Sequence, residues 1–319
     1  MTQELNWGLP VISYLFLAGM GAGALTVSSS VLLRGGGGPK GIHLDIARYG
    51  ALLAPIPVMV GCGLLIFELG SFDVGNWFRW MNLYTVINLS PMSIGTWLLT
   101  LFIGVSLLYA YTFLPKAPGL GDAKLALRRR IAWVNVPLGI GVAVYTGVLL
   151  GAMPSRPFWN SPVLALLFLV SSLSTGIAVI LLARALFQPK RPDPGEATFH
   201  ESGYLLAASD VMLIGFELMV VFLFIMFAYL TVGDVRHAIS VILADGDLAT
   251  LFWFGFVALG LVVPALIELF YVVPKLLYHR DYSAPRGVEI IVSLAVLAGG
   301  FALRYVVVIA GQVTGPVGV

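Results

Sequence analysis

The chain reads as an all-α polytopic membrane protein: eight transmembrane helices, grouped as two four-helix bundles, with the N- and C-termini outside. Three observations predict this. Hydrophobic residues fill 59% of the 319 positions, charged residues fill 11%, and the mean hydropathy is +0.96, so lipid must solvate much of the surface. Eight apolar runs, at about 8–33, 49–69, 91–114, 131–153, 162–187, 203–232, 248–277 and 288–311, each exceed the roughly 20 residues that cross the hydrocarbon. Isolated strands would leave backbone groups unsatisfied in lipid, so the runs must be helices. Finally, fourteen of the eighteen Lys and Arg fall in loops on the side opposite the N-terminus, while Arg79, Arg156 and Arg236 lie on the other side and Arg304 lies within the last run. By the positive-inside rule the basic side is cytoplasmic.

No Lys or Arg precedes span one, and the run is too long for a signal h-region, so it reads as a retained helix rather than a cleaved signal. Gly19, Gly21 and Gly23 give it a close-packing face. Gly35 to Gly38 form a hinge before span two, which holds Cys62 and ends in a carboxylate, Glu68. An aromatic and charged passage follows, with Trp77, Phe78, Arg79 and Trp80, and span three enters through Ser90-Pro91, proline being tolerated in a first helical turn. Span four follows the basic run Arg128-Arg129-Arg130. Arg156-Pro157-Phe158-Trp159 and Ser161-Pro162 then repeat the aromatic-loop pattern before span five. The longest polar break, Gln188 to Glu201, carries three prolines. It divides the protein into a first helical half at 1–187 (spans one to five), a cytoplasmic linker at 188–202 and a second half at 203–319 (spans six to eight). Span six carries Asp210 and Glu217, two helical turns apart on one face. Span seven carries Glu268 between Pro264 and Pro274, and span eight carries Glu289 and Arg304.

Charges inside a membrane are costly and mark functional candidates. Glu68 is a candidate proton acceptor at the outer boundary. Tyr14, Ser93 and Tyr145, from spans one, three and four, fall with it in the outer half when counted at about 1.5 Å per residue. A quinol needs a hydrogen-bond partner at each oxygen, a proton acceptor and apolar walls, and these residues can supply them. Asp210, Glu217, Glu268, Glu289 and Arg304 are expected to line one interior face of spans six to eight, as neutralising pairs or as a proton path.

Several classes are excluded. The basic residues mark a membrane face and anionic lipid heads, not nucleic acid. One cysteine allows no disulfide and no iron–sulfur cluster in this chain. His43, His200, His237 and His279 lie in loops or at span ends, so no axial pair for haem is expected, and neither a metal site nor a phosphate loop is seen.

The stretch Tyr14 to Gly23 resembles the opening helix of the NrfD/PsrC family, the membrane anchors of polysulfide-reductase-like respiratory complexes. Glu68-Leu69-Gly70, Phe78-Arg79 and Ser90-Pro91-Met92-Ser93-Ile94-Gly95-Thr96-Trp97 are similar to its central signature, with Glu where Asp is common, and Leu303 to Gln312 fits its ending. The resemblance implies a cofactor-free subunit of a bacterial or archaeal cell (inner) membrane that binds menaquinone or ubiquinone. It also implies electron exchange with a ferredoxin-like iron–sulfur subunit docked at Trp77 to Trp80, and a catalytic, molybdopterin-containing subunit beyond it. A rival from another class is a secondary transporter, which buried acids and a proline-broken span seven would also suit.

The orientation is testable. A cysteine appended at the C-terminus should react with an impermeant thiol reagent in intact cells; labelling only after lysis reverses the topology.

Overall fold

The structure is a computed structural model that describes residues 7–36, 43–70, 81, 84, 90–114, 121–153, 155–189, 195–231, 233–243 and 246–314. Among these residues every regular element is helical. The order is α1 (Leu9–Val31), α2 (Leu44–Leu53), α3 (Pro55–Gly70), α4 (Pro91–Phe113), α5 (Gly121–Gly151), α6 (Pro162–Phe187), α7 (Gly195–Leu230), a short α8 (Asp234–Ile239), α9 (Val263–Tyr278) and α10 (Arg286–Val313). A π-helical stretch, Leu251–Val262, runs straight into α9. Eight segments are long and apolar enough to cross a membrane, as the hydropathy predicts.

Proline punctuates these helices where its missing N–H does least harm. It occupies the first turn of α1, α4 and α6. At α4 the preceding Ser90 also caps the helix, its Oγ accepting from the Ser93 N–H at 3.3 Å. Pro55 splits span two into α2 and α3 at Ala54. That span starts at Leu44, five residues before the apolar run, so Asp45 and Arg48 belong to a helix rather than a loop. Likewise α7 begins at Gly195, so 195–202 of the expected linker are helical.

Burial shows which helices are central. Within its most apolar stretch, Leu9–Gly35 is 78% buried and Pro162–Phe187 is 67% buried, against 33% for Ala197–Leu230. α1 and α6 therefore form the axis. α1 packs on α2, α3, α5 and α10, and α6 on α5, α7 and α10. The two axial helices touch through glycines: a Cβ on Gly23 would overlap the Ser172 backbone, and one on Gly176 would overlap the backbone of Gly23 and Ala24. Gly21 packs the same way against Ala54, and Gly260 and Gly299 bring the π-helical stretch against α10.

Eight spans return the polypeptide to the side where it began, and the ends are tied there. The Trp7 N–H donates to Gln312 Oε1 at 2.9 Å, and Gln312 Nε2 donates back to the Trp7 carbonyl at 2.9 Å. Trp7 stacks on Trp159 with centroids 5.3 Å apart, and Trp159 Nε1 donates to the Val307 carbonyl at 2.7 Å. Arg156 closes the clamp by donating to the Gln312 carbonyl at 2.8 Å.

Gly23→Leu should force the axial helices apart. It is expected to destabilise the protein by about 1–3 kcal/mol or more, read as a lower melting temperature in detergent. Gly63→Ala, where the added Cβ meets nothing within 4 Å, should leave melting unchanged or raise it.

Candidate functional site

Two buried polar regions lie on different faces of α1. The first brings two of the sequence-predicted residues, Tyr14 and Tyr145, within electrostatic range of each other, and a third, Ser93, is buried on α4. Tyr14 on α1 is 1% exposed, Ser93 on α4 is 6% exposed and Tyr145 on α5 is 9% exposed. The Tyr14 ring lies against Gly61 of α3, whose added Cβ would sit 3.4 Å from its Cδ2. The Tyr145 hydroxyl lies over Gly95 of α4, where any Cβ would overlap it. Ser93, two residues before Gly95 and so on a different face of α4, is buried in the first turn, where its hydroxyl meets Ser90 Oγ at 3.3 Å. Cys62 is within electrostatic range of both tyrosines. Glycine at 61 and 95 thus admits the two rings, a role that the sequence signature shows only as unexplained small residues.

Glu68 falls on α3 two turns beyond Gly61, hence on the same helical stripe. Its side chain, and all of Trp77, Phe78, Arg79 and Trp80, lie outside the described residues.

The second region is a polar network running along α6, α7, α9 and α10. Asp210, Glu217, Glu268, Glu289 and Arg304 are each 5% exposed or less. Arg304 Nη1 donates to Ser171 Oγ at 2.6 Å and to the Gly300 carbonyl at 2.9 Å, while Nη2 donates to Ser172 Oγ at 3.2 Å. Phe168 flanks the guanidinium at 5.3 Å and Phe16 at 6.0 Å. Glu217 lies within electrostatic range of the guanidinium and beside Ser171, without the direct ion pair that their similar depth suggests. One turn along α6 from Ser171, Ser174 Oγ donates to Asp210 Oδ1 at 2.7 Å. Glu268 lies within electrostatic range of both Asp210 and Glu289.

Glu268, Glu289 and Tyr282 line a cavity of about 10 Å³, room for roughly one water. Tyr282 sits outside the spans, and its phenol is raised above its ordinary range by burial first and then by Glu289 and Glu268, so it stays a neutral donor. Glu217 Oε1, Asp210 Oδ2 and Glu268 Oε2 are buried without a protein hydrogen-bond partner, where water would bridge.

The residues that sequence reasoning missed are the serines of α6 and Tyr282. Ser171, Ser172, Ser174 and Thr175 recur at helical spacing in a span with no other polar side chain before Arg184, and that stripe was the available signal. No group of three or more His, Cys, Asp or Glu able to hold a metal occurs among the described residues.

Comparisons with known proteins agree with this architecture. The family profile described as "Polysulphide reductase, NrfD" matches residues 1–316. The C chain of polysulfide reductase from Wolinella succinogenes is 33% identical, covering 96% of this protein and 94% of its own length. Protein NrfD of Escherichia coli is 30% identical, with 98% and 96% covered. The C subunit of selenate reductase from Mesobacillus selenatarsenatis is 23% identical, with 84% and 67% covered.

Arg304→Met should be among the most damaging single changes. It leaves Glu217 without its shared cation and is expected to cost about 3–5 kcal/mol, with partial recovery in the double variant carrying Glu217→Gln. Thermal melting of the four members of the cycle checks it.

Proposed function

The chain belongs to the NrfD polysulphide reductase family and is a multi-pass protein of the cell (inner) membrane, and from that premise we propose that it is the quinol-handling anchor of a respiratory reductase. Membrane subunits of reductase complexes imply partners, and two relatives are named as one lettered component of a polysulfide reductase and of a selenate reductase. The partners that suit this protein are a ferredoxin-like iron–sulfur subunit, seated where the termini and the Trp77–Trp80 passage emerge, and a molybdopterin-containing catalytic subunit beyond it.

The observation that carries the reading is the approach of two buried phenols, Tyr14 and Tyr145, from two helices, beside the stripe of α3 that ends in Glu68. Two phenols are the donor pair that two ring oxygens need, and Ser93, buried in the first turn of α4, is the third donor in this reading. Menaquinol or ubiquinol bound there supplies two electrons and two protons when oxidised. Tyr14 and Tyr145 hold the ring oxygens, and Glu68 accepts a proton at the boundary, where water can take it onward. Quinone reduction would use the same residues in reverse.

Asp210, Glu217, Glu268 and Glu289, with Arg304, form the proton-conducting element in this reading, joined by the α6 serines and the one-water cavity. The same acids would serve a secondary transporter; membership of a reductase-subunit family favours the anchor.

Glu68→Gln should lower quinol-dependent turnover of the intact complex by about 100-fold, while turnover with an artificial donor to the catalytic subunit survives. Tyr14→Phe and Tyr145→Phe should raise the apparent KM for quinol. Equal loss with both donors would mean misassembly and would remove the quinol site from this region.

A further inference from the structure

The polar network does not stop at Glu289. Arg184, counted by loop position among the basic-side cations, lies inside α6 and is 0% exposed. Its Nε donates to Asp45 Oδ2 at 2.6 Å, and its Nη2 donates to the Phe199 carbonyl at 2.8 Å. Asp45, in the first turn of α2, accepts at its other oxygen from Ser202 Oγ at 2.9 Å. Ser202 Oγ in turn lies 3.1 Å from His43 Nδ1. Three helices are therefore joined by a hydrogen-bonded run from imidazole to hydroxyl to carboxylate to guanidinium.

This run meets the buried acids at Gly203, the residue after Ser202. A Cβ there would lie 2.8 Å from Glu289 Oε1, 3.2 Å from Tyr282 Cε1 and 4.0 Å from Arg184 Nη1. Arg184 Nη1 is itself buried without a hydrogen-bond partner and faces this junction. The far end is wet. The Asp45 side chain keeps 16% of its surface exposed, whereas the acids beyond it keep 5% or less. His43 lines an open groove of about 630 Å³ between α1, α6 and α7, together with Arg34, Ser30 and Ser209. Other charged or titratable groups ring the node: Arg286 stacks at 4.5 Å on the Phe199 ring that Arg184 also faces, His200 packs 6.5 Å from Tyr282, and Lys275 holds Glu201 at 2.5 Å on the outer face of α7.

We propose that His43 and Asp45 are the proton-loading port of the buried acids, with Ser202 as the relay and Arg184 as the positioning residue that pins Asp45 to it. The port rests on the reading that the acids conduct protons. A proton taken up at the outer ring nitrogen of His43 releases the one on Nδ1 to Ser202 Oγ, and Ser202 gives its own hydroxyl proton to Asp45 Oδ1, from which it moves across the Gly203 junction. Glu289 and then Glu268 receive it across Tyr282 and the small cavity. Arg184 fixes the geometry through Nε on Asp45 and Nη2 on the Phe199 carbonyl.

The test uses the whole complex in sealed vesicles, with protons moved per electron as the readout. Asp45→Asn and His43→Gln are expected to lower that ratio at least twofold, and Asp45→Glu to restore it, which a merely structural role for the ion pair would not require. If Glu268→Gln lowers the ratio and Asp45→Asn does not, the port is overturned and the path stands. If none of these variants changes it, the path itself is overturned. Should Asp45→Asn fail to assemble, Ser202→Ala leaves the Arg184–Asp45 pair intact and carries the same expected and overturning results.

Discussion

The backbone contact between α1 and α6 at Gly23 and Gly176 is the constraint on which the rest depends. Lipid offers helices no hydrophobic reason to associate, so close packing must supply the attraction, and only glycine lets two backbones come this near. Once α6 is seated on α1, its polar residues point at neighbours that would otherwise be unsatisfied. Ser171 and Ser172 meet Arg304, Ser174 meets Asp210, and Arg184 meets Asp45. A buried arginine is tolerable only with such partners, so the glycine contact and the charge network are one design.

α1 also separates the two polar regions. Tyr14 and Gly19 are five residues apart, about 140° around a helix of 3.6 residues per turn. One face carries the phenol toward α3 and α5, and another lets Ser172 and the Arg304 guanidinium approach Gly19 closely. Replacement of Gly19 would therefore disturb the arginine, while replacement of Gly61 would disturb the phenol, although both are merely small residues in sequence.

The fold was legible because hydropathy reports the solvent, and eight apolar runs leave little choice of secondary structure. Their order and number match the eight spanning segments, and the boundaries drift where a polar turn is helical, as at Asp45 and at 195–202. The site was legible in its ionisable members, since a carboxylate or guanidinium within an apolar run stands out. Its hydroxyls were not, because serine is common wherever helices pack. Arg184 was misplaced for a related reason: counting basic residues by side assumes that a charge near a helix end reaches water, and this one turns inward to Asp45. The docking ledge at Trp77 to Trp80 is a reading from sequence alone.

The π-helical stretch Leu251–Val262 has a consequence for how this fold can change over evolutionary time. A π turn holds an extra residue relative to an α turn, and loss of one residue there can be absorbed by rewinding the helix. A deletion absorbed in this way leaves Glu268 in alignment with Asp210 and Glu289, whereas the same loss from a regular α turn would rotate everything downstream by about 100°. The segment therefore acts as slack: homologues that differ by one residue in this stretch would keep both the bundle and the connection between its acids.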